Sequence, residues 1–360
     1  MTSRIHDRYL FRQFVRIFLI SVLSFTVIYI TIDTFEEIDN FIDHDASIVN
    51  IVRYYIYSVP FMLTYIIPVS MLLGTIFSVG IMARRNELTA FIASGVSLMR
   101  IARPIFVVAV LVTVTTVFFN DLVVTNATRR RKEIKQHDIE GRARSNPFLR
   151  ENFRYLGENG YVYLAARYNH ETRTLFEVVL QQFDGNTLTR RIDARTAKWI
   201  NGQWVFHSGF ERVFESRSET VHAFTRLAMP DIRETPDNFV EKELDPENMN
   251  LRELAAYIKK VRKSGGNVER LLTDLYGKFS YPVAGSIFAL IGIAFAAGKR
   301  KQSIATGFGL TLLISFIYYG VLQVGQTLGY NGRVPPLLAA ELGNLLFLII
   351  GTGLLVRANQ

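Results

Sequence analysis

The stretch PIFVVAVLVTVTTVFFNDLVV, residues 104–124, decides the fold. It holds no charged side chain between Ile105 and Phe119. Its length matches a membrane crossing, because a hydrocarbon core of about 30 Å takes about 20 helical residues. The pattern recurs on either side of it. Residues 14–32 and 51–82 precede it, and residues 279–297, 304–329 and 335–356 follow much later. Two clusters of membrane-length segments therefore flank a polar middle. Soluble elements space their apolar residues at periods of 3.6 or two, whereas unbroken runs of this length read as membrane helices.

Of the 360 residues, 49% are hydrophobic, and the formal net charge is +9. Such a charge suggests nucleic acid, but no basic patch is interleaved with aromatics. The basic residues instead cluster at the ends of the apolar runs, where they orient a membrane protein and meet anionic headgroups. There is no cysteine, so disulfides, thiolate metal sites and lipoprotein attachment are excluded. The first run is too long for a signal-peptide core and no small-residue cleavage site follows it, so it reads as a retained helix.

Short loops set the orientation. Arg4, Arg8, Arg12 and Arg16 precede or open the first run, and Arg84, Arg85, Arg100 and Arg103 lie between the second and third. Lys299, Arg300 and Lys301 lie between the fourth and fifth, and Arg357 follows the sixth. Residues 33–50, read as a loop, carry Asp33, Glu36, Glu37, Asp39, Asp43 and Asp45 and no Lys or Arg. Both termini are thus expected in the cytoplasm and the middle domain outside. The cluster Arg129, Arg130, Arg131 and Lys132 falls on the outer side against this rule, which long translocated segments obey poorly.

Pro60 and Pro68 sit inside the second run and each removes a backbone donor. That run is either one bent helix or an interfacial helix followed by a span. Gly285, Ala289, Gly292 and Ala296 keep small side chains near one face of the fourth run, and Gly325 and Gly329 form a GxxxG in the fifth. Small faces let helices approach closely in lipid, either within this chain or at a seam with a partner. Glu341 is the acid well inside an apolar run, with Lys278 and Asp121 at run ends on the same expected side. An intramembrane charge is a functional candidate, but a place near the outer interface also allows simple solvation or pairing.

From about 152 to 228 the pattern changes to YVYLAARY, LFEVVLQQF, TLTRRIDA, KWINGQWVF and VHAFTRLAM, separated by turn pairs such as Asp184-Gly185 and Asn201-Gly202. Short strands at this spacing predict an antiparallel sandwich or open barrel. Trp199 and Trp204 flank the Asn201-Gly202 turn and are expected to pack across a hairpin. Such a domain suits either an acyl chain between its sheets or edge-to-edge pairing with another β domain. A helix at about 250–265 follows, with Asn250 and Glu253 in a capping-box pattern, Leu251, Leu254, Ala255, Ile258 and Val261 as its apolar side, and Gly265 and Gly266 to end it.

No catalytic constellation survives inspection. The six histidines are scattered, no GxSxG elbow exists, and Gly298-Lys299 lacks the spacing and the Ser or Thr of a phosphate loop. No cofactor or metal is implied. The most specific segment is the loop ARRNELTAFIASGVS, residues 83–97. Leu88, Phe91 and Ile92 give a short helix one apolar side, Gly95 can end it, and Glu87 sits where the helix dipole favours an acid. It is either a plain surface helix or a peg for a cytoplasmic partner.

At this segment the chain resembles the LptF/LptG permease family, also called YjgP/YjgQ. The likeness covers the Asp7-Arg8-Tyr9 opening, the R-x-E-L…A-S-G-x-S loop and the soluble insertion between the third and fourth helices. It continues through Leu251-to-Gly265 and the Pro335-Pro336 start of the sixth helix, and Ala255-Tyr257-Ile258-Lys259 with Ser264-Gly265 is closer to the LptG branch. The resemblance implies an integral membrane α-helical fold of six transmembrane helices with an inserted periplasmic all-β jellyroll-like domain. The corresponding division is 1–124, including a coupling helix at about 84–95, then 125–274, then 275–360.

It further implies a non-enzymatic subunit of the bacterial inner membrane. Its partners would be a sister permease, two copies of the cytoplasmic ATPase LptB, and LptC with a periplasmic bridge, and its cargo lipopolysaccharide. The family's coupling acid maps onto Glu87, with Arg84, Arg85, Leu88, Phe91 and Gly95 around it. One departure is that Asp33-Thr34-Phe35-Glu36-Glu37 is acidic where relatives carry basic residues for the lipid's phosphates. Arg53, Lys278, Arg333, Arg129, Arg130 and Arg131 are then the phosphate candidates, unless bridging cations or the sister subunit supply the charge. The competing reading is a scaffold that tethers a β domain beside other envelope proteins. An ion-coupled transporter ranks last, since midplane charges and inverted repeats are lacking.

Overall fold

The computed structural model describes residues 2–141, 149–157, 160–185, 187–215, 218–239, 246–263, 266–297 and 303–358. The chain divides into two compact units, one of residues 1–141 with 272–360 and one of residues 142–271. Residues 125–141, grouped above with the middle segment, fall in the first unit. Lys299, Arg300, Lys301 and Gly265 lie outside the described residues.

In the first unit, helix α1 (Thr2–Asp43) runs through the first apolar segment and does not stop at Asp33. Residues 33–43 were expected to be loop, but they contain no glycine or proline, so nothing breaks the helix there. Phe41 instead packs edge-on to Tyr54 at 5.9 Å and joins a buried cluster with Ile134 and Ile139. Helix α2 (Ile48–Arg84) is one helix containing both prolines, opened by Ser47, whose side chain accepts from the Asn50 amide. The short α3 (Glu87–Ala93) follows.

Helix α4 (Leu98–Phe119) continues through a π-helical turn at Asn120–Val124 into α5 (Thr125–Glu133) and a second such turn at Ile134–Ile139. The basic cluster at 129–132 is therefore helical and packs beside α2, well past the predicted end of the span at 124.

After the insertion come α7 (Glu269–Ala296), α8 (Ile304–Tyr330) and α9 (Pro336–Ala358). Among the described residues, six helices are long and apolar enough to cross a membrane. The small faces close contacts within the chain. A Cβ at Gly329 would lie 2.7 Å from both Ala339 and Thr273, and one at Gly292 would lie 2.8 Å from Thr75 on α2. Backbones approach this closely in lipid because dispersion contacts, and not hydrophobic transfer, hold helices together there.

The second unit is a six-stranded antiparallel sheet: β1 (Leu149–Leu156), β2 (Tyr161–Asn169), β3 (Thr174–Asp184), β4 (Thr187–Ile200), β5 (Gln203–Glu215) and β6 (Ser218–Met229). Its order is sequential. A jellyroll crossover would bring non-consecutive strands side by side, whereas here each described strand pairs with its sequence neighbours. Asn201 and Gly202 both take positive φ, as a type I′ hairpin turn requires, and Trp199 meets Trp204 at 5.4 Å.

The sheet is strongly curled. Phe153 on β1 and Trp204 on β5 are four strand spacings apart, about 19 Å if flat. Yet both rings lie within 5.3 Å of the Phe239 ring. The open-barrel expectation thus holds in the form of a trough. The chain fills that trough with its own segment after β6: Phe239 also packs on Tyr155, Tyr163 and Tyr168. Trp204 Nε1 donates to the Glu234 carbonyl at 2.8 Å and Tyr168 Oη to the Pro236 carbonyl at 3.1 Å.

A fold line crosses all six strands. The pairing register skips Asn152, Ala166, Glu177, Arg195, Ser208 and Thr225, which stand side by side. On alternate strands the residue is left-handed: Asn152, Glu177 and Ser208 have φ of 49°, 50° and 56°. Inward-facing residues change parity there. Tyr163 and Ala165 give way to Tyr168, Leu175 to Val178, and Ala194 to Ala197, all in one core. A corner of this kind lets one sheet wrap two sides of a core.

The last element of this unit, α6 (Leu251–Lys263), follows the expected capping box. The Glu253 amide donates to Asn250 Oδ1 at 2.9 Å, and the Asn250 amide donates back to Glu253 Oε2 at 2.8 Å.

Candidate functional site

Three places gather the candidate residues, and the first is α3. Asn86 adopts φ of 57° immediately before Glu87, a conformation asparagine tolerates, and this turns the chain sharply out of α2. Arg85 Nη1 lies 3.8 Å from Glu87 Oε1 and donates to Tyr9 Oη of α1 at 3.3 Å. Leu88, 4% exposed, anchors the helix in a core with Leu10, Phe14, Met82, Leu98 and Ile101. At the other end the Val96 amide donates to the Phe91 carbonyl at 3.1 Å, and Gly95 takes φ of +83°.

Both ends of α3 are thus fixed, and its outer side is left open. Phe91 is half-buried, whereas Ile92, expected on the apolar inner side, is 48% exposed. It is neighbour to Phe91 in sequence and so sits about 100° round the helix. Thr89 and Ile92 are exposed on it, as are Arg84 at the end of α2 and Met99 at the start of α4. Tyr9 was quoted in the sequence only as part of a motif; its bond to Arg85 ties α1 to the loop.

The second place is the opposite end of the same helices, where the acidic end of α1 meets the basic α5. Lys135 Nζ lies 2.5 Å from Glu37 Oε1, and Arg53 Nη1 lies 3.5 Å from Asp138 Oδ2. Asn50 Nδ2 donates to the Asp138 carbonyl at 3.0 Å. The Arg131 guanidinium lies 5.0 Å over the Phe61 ring of α2, and Arg130 pairs with Glu133 one turn on at 3.0 Å. Glu37, one of the acids that stand where relatives are expected to carry phosphate-binding cations, is therefore neutralised within the chain. Lys135 and Asp138 had no sequence signal, since nothing marked that region as helical. Arg333 is exposed in the turn between α8 and α9, and Lys278 is half-buried on α7.

The third place surrounds Glu341, in the second turn of α9. Asn344 Nδ2 donates to Glu341 Oε2 at 2.7 Å and to Ser280 Oγ of α7 at 2.8 Å. Tyr318 Oη of α8 donates to Asn344 Oδ1 at 2.7 Å, and Ser280 Oγ donates to the Ala340 carbonyl at 2.7 Å. Asn344, Ser280 and Tyr318 are all buried. Glu341 is thus paired, and Asn344, not singled out in the sequence, is the hub that joins three helices. Polar hubs of this kind add to small-residue packing in lipid.

Two triplets of membrane helices interrupted by an all-β insertion define a multi-pass membrane protein that carries its soluble domain as a loop. The family described as "Lipopolysaccharide export system permease LptF/LptG" matches residues 8–357, and the chain belongs to it. The chain is similar to the lipopolysaccharide export system permease protein LptG of Escherichia coli (strain K12), 23% identical over 318 residues that cover 85% of each chain. It is also similar to the protein of that name from Haemophilus influenzae, 21% identical over 299 residues, 81% of this chain and 82% of that one. Both place it on the LptG-like side of an inner-membrane permease family for lipopolysaccharide export.

Proposed function

We propose that this chain is the permease subunit through which a separate cytoplasmic ATPase drives lipopolysaccharide out of the inner membrane. The single observation that carries this reading is α3, a seven-residue helix held at both ends, anchored by Leu88 and open on its outer side. Such an element is rigid enough to transmit a push and exposed enough to receive one. Glu87 and Arg85 are its polar contacts, Ile92 its apolar one, and Gly95 sets its end. The termini and α3 lie in the cytoplasm, and the β unit lies in the periplasm beside LptC and the bridge. The sister permease completes the cavity, and an LptB dimer supplies the free energy.

Lipid phosphates are met by exposed cations at the end opposite α3. Arg53, Arg130 and Arg333 are the most accessible, with Arg129, Arg131 and Lys278 behind them. Glu341 serves helix packing through Asn344. The test is Glu87→Ala and Glu87→Arg in the assembled complex, reading ATPase recruitment and lipid export together. Uncoupling of hydrolysis from export is expected. Wild-type assembly and export in both variants would falsify the coupling role.

A further inference from the structure

Helix α2 carries Pro68 in the middle of its apolar run, where the missing amide and the crowding of its ring against the Thr64 carbonyl weaken one turn. The Tyr65 carbonyl, three residues earlier, accepts a hydrogen bond from Tyr319 Oη of α8 at 2.9 Å. The two rings are 6.0 Å apart, and the Tyr65 ring meets Tyr281 of α7 edge-on at 6.1 Å. In a membrane, carbonyls near a proline are commonly satisfied by a neighbouring helix. Here the donor has an unusual neighbour. Tyr318, next to it in sequence, points about 100° away round the helix and donates to Asn344 of α9. Two adjacent tyrosines thus tie α8 to α2 on one side and to α9 on another.

At its other end α2 is followed, after the turn at Asn86, by α3. Leu88 of α3 shares a core with Val79 and Met82 of α2. From Pro68 to Arg84 the helix spans about 24 Å at 1.5 Å per residue. A force on α3 therefore enters the limb of α2 between Pro68 and Arg84. The polar tie between Tyr319 and Tyr65 lies one turn beyond Pro68 from α3.

We propose that the Tyr319 hydroxyl is a positioning contact that carries movement of α2 into α8 and, through Tyr318 and Asn344, into α9. The inference rests on the coupling role given to α3. Its physical basis is that a hydrogen bond in an apolar surround holds a fixed direction, whereas apolar side chains on sliding helices exchange contacts freely. Tyr319→Phe removes the bond and keeps the ring.

The experiment uses the full complex in proteoliposomes that contain lipopolysaccharide. It reads ATP hydrolysed, lipid exported and the thermal midpoint of the complex. For Tyr319→Phe, hydrolysis and midpoint stay at wild-type values while export per ATP falls by at least about fivefold, the lower end of ordinary coupling energies. Unchanged export per ATP overturns the proposal. So does a loss of export that tracks a lowered midpoint or poor assembly, which marks a merely structural bond. Glu87→Ala in the same assay separates the two readings. Normal export there sinks the role of α3 itself, while uncoupling by Glu87→Ala beside normal export by Tyr319→Phe sinks this inference alone.

Discussion

On α8, Phe316 leaves 76% of its surface exposed, while in the β unit Trp204 and Phe239 leave none. The same contrast runs through both units. On the membrane helices many large side chains, such as Phe35 and Leu23, point outward, and beside buried rings such as Phe14 and Phe288 the tightest seams are made by Gly325, Gly329, Gly292 and Ala339. In the β unit the rings gather inside, and charged pairs such as Arg191 with Asp193, Nη2 to Oδ1 at 2.7 Å, occupy the other face. The difference follows from solvent. Water drives large apolar groups together, whereas lipid is as apolar as leucine, so helices there associate through close backbone approach and a few polar hubs.

The largest effect expected from this contrast is in the trough. Phe239→Ala removes a ring that touches five others and should destabilise the β unit by about 3–5 kcal/mol. Both tryptophans of the chain, Trp199 and Trp204, lie beside this core, so denaturation followed by their fluorescence reads the β unit selectively. A loss below about 1 kcal/mol would mean that the trough is not a packed core.

Alkaline pH gives the next effect. Burial and the neighbouring Glu234 carboxylate push the Tyr163 phenol up, and burial pushes the Tyr168 phenol up to about 12. Below pH about 10 both phenols are neutral in the folded and unfolded chain, so stability does not change. Above that, the unfolded chain ionises first, and stability is lost as pH rises towards about 12. For Tyr168 this amounts to on the order of 2 kcal/mol. Tyrosinate absorbance should rise together with the change in tryptophan fluorescence; ionisation of these phenols in the intact fold would contradict their burial.

Gly329→Leu tests the membrane side. The added side chain collides with Ala339 and Thr273 and should cost about 1–3 kcal/mol, visible as an earlier loss of helical circular dichroism in detergent. Phe316→Ala, a far larger deletion on the lipid face, should stay within about 0.5 kcal/mol. If the two membrane substitutions rank in the reverse order, Phe316 lies in a packed interface.

Much of the fold was legible because lipid imposes a coarse signal. Six uninterrupted apolar runs need no knowledge of their partners to be read as helices. Local chemistry was legible too, as the reciprocal bonds of Asn250 and Glu253 and the Asn201-Gly202 hairpin show. Two kinds of feature were not. Helical extensions rich in charge were missed: 33–43 read as a loop and 125–139 as part of the middle domain, because charge signals water and not the absence of helix. Their partners, Glu37 with Lys135 and Arg53 with Asp138, are far apart in sequence.

Long-range filling was the other blind spot. Phe239 stands in PDNF, a turn-like segment without periodicity, and only the curled sheet makes it the centre of a core. For the candidate site, the bounds of α3 and its acid were readable. The outward turn of Ile92, the tie from Arg85 to Tyr9 and the hub at Asn344 depended on neighbours that no spacing announces.

The line of residues from Asn152 to Thr225 has a consequence for how this sheet tolerates change. Losing one residue from a single strand at that line would turn half of that strand inside out against five unaltered neighbours, with its rings in water and its charges in the trough. Shortening all six together would keep every pairing and simply flatten the corner. The six positions therefore behave as one unit of inheritance: a deletion in any one strand is tolerable only when the other five shorten with it.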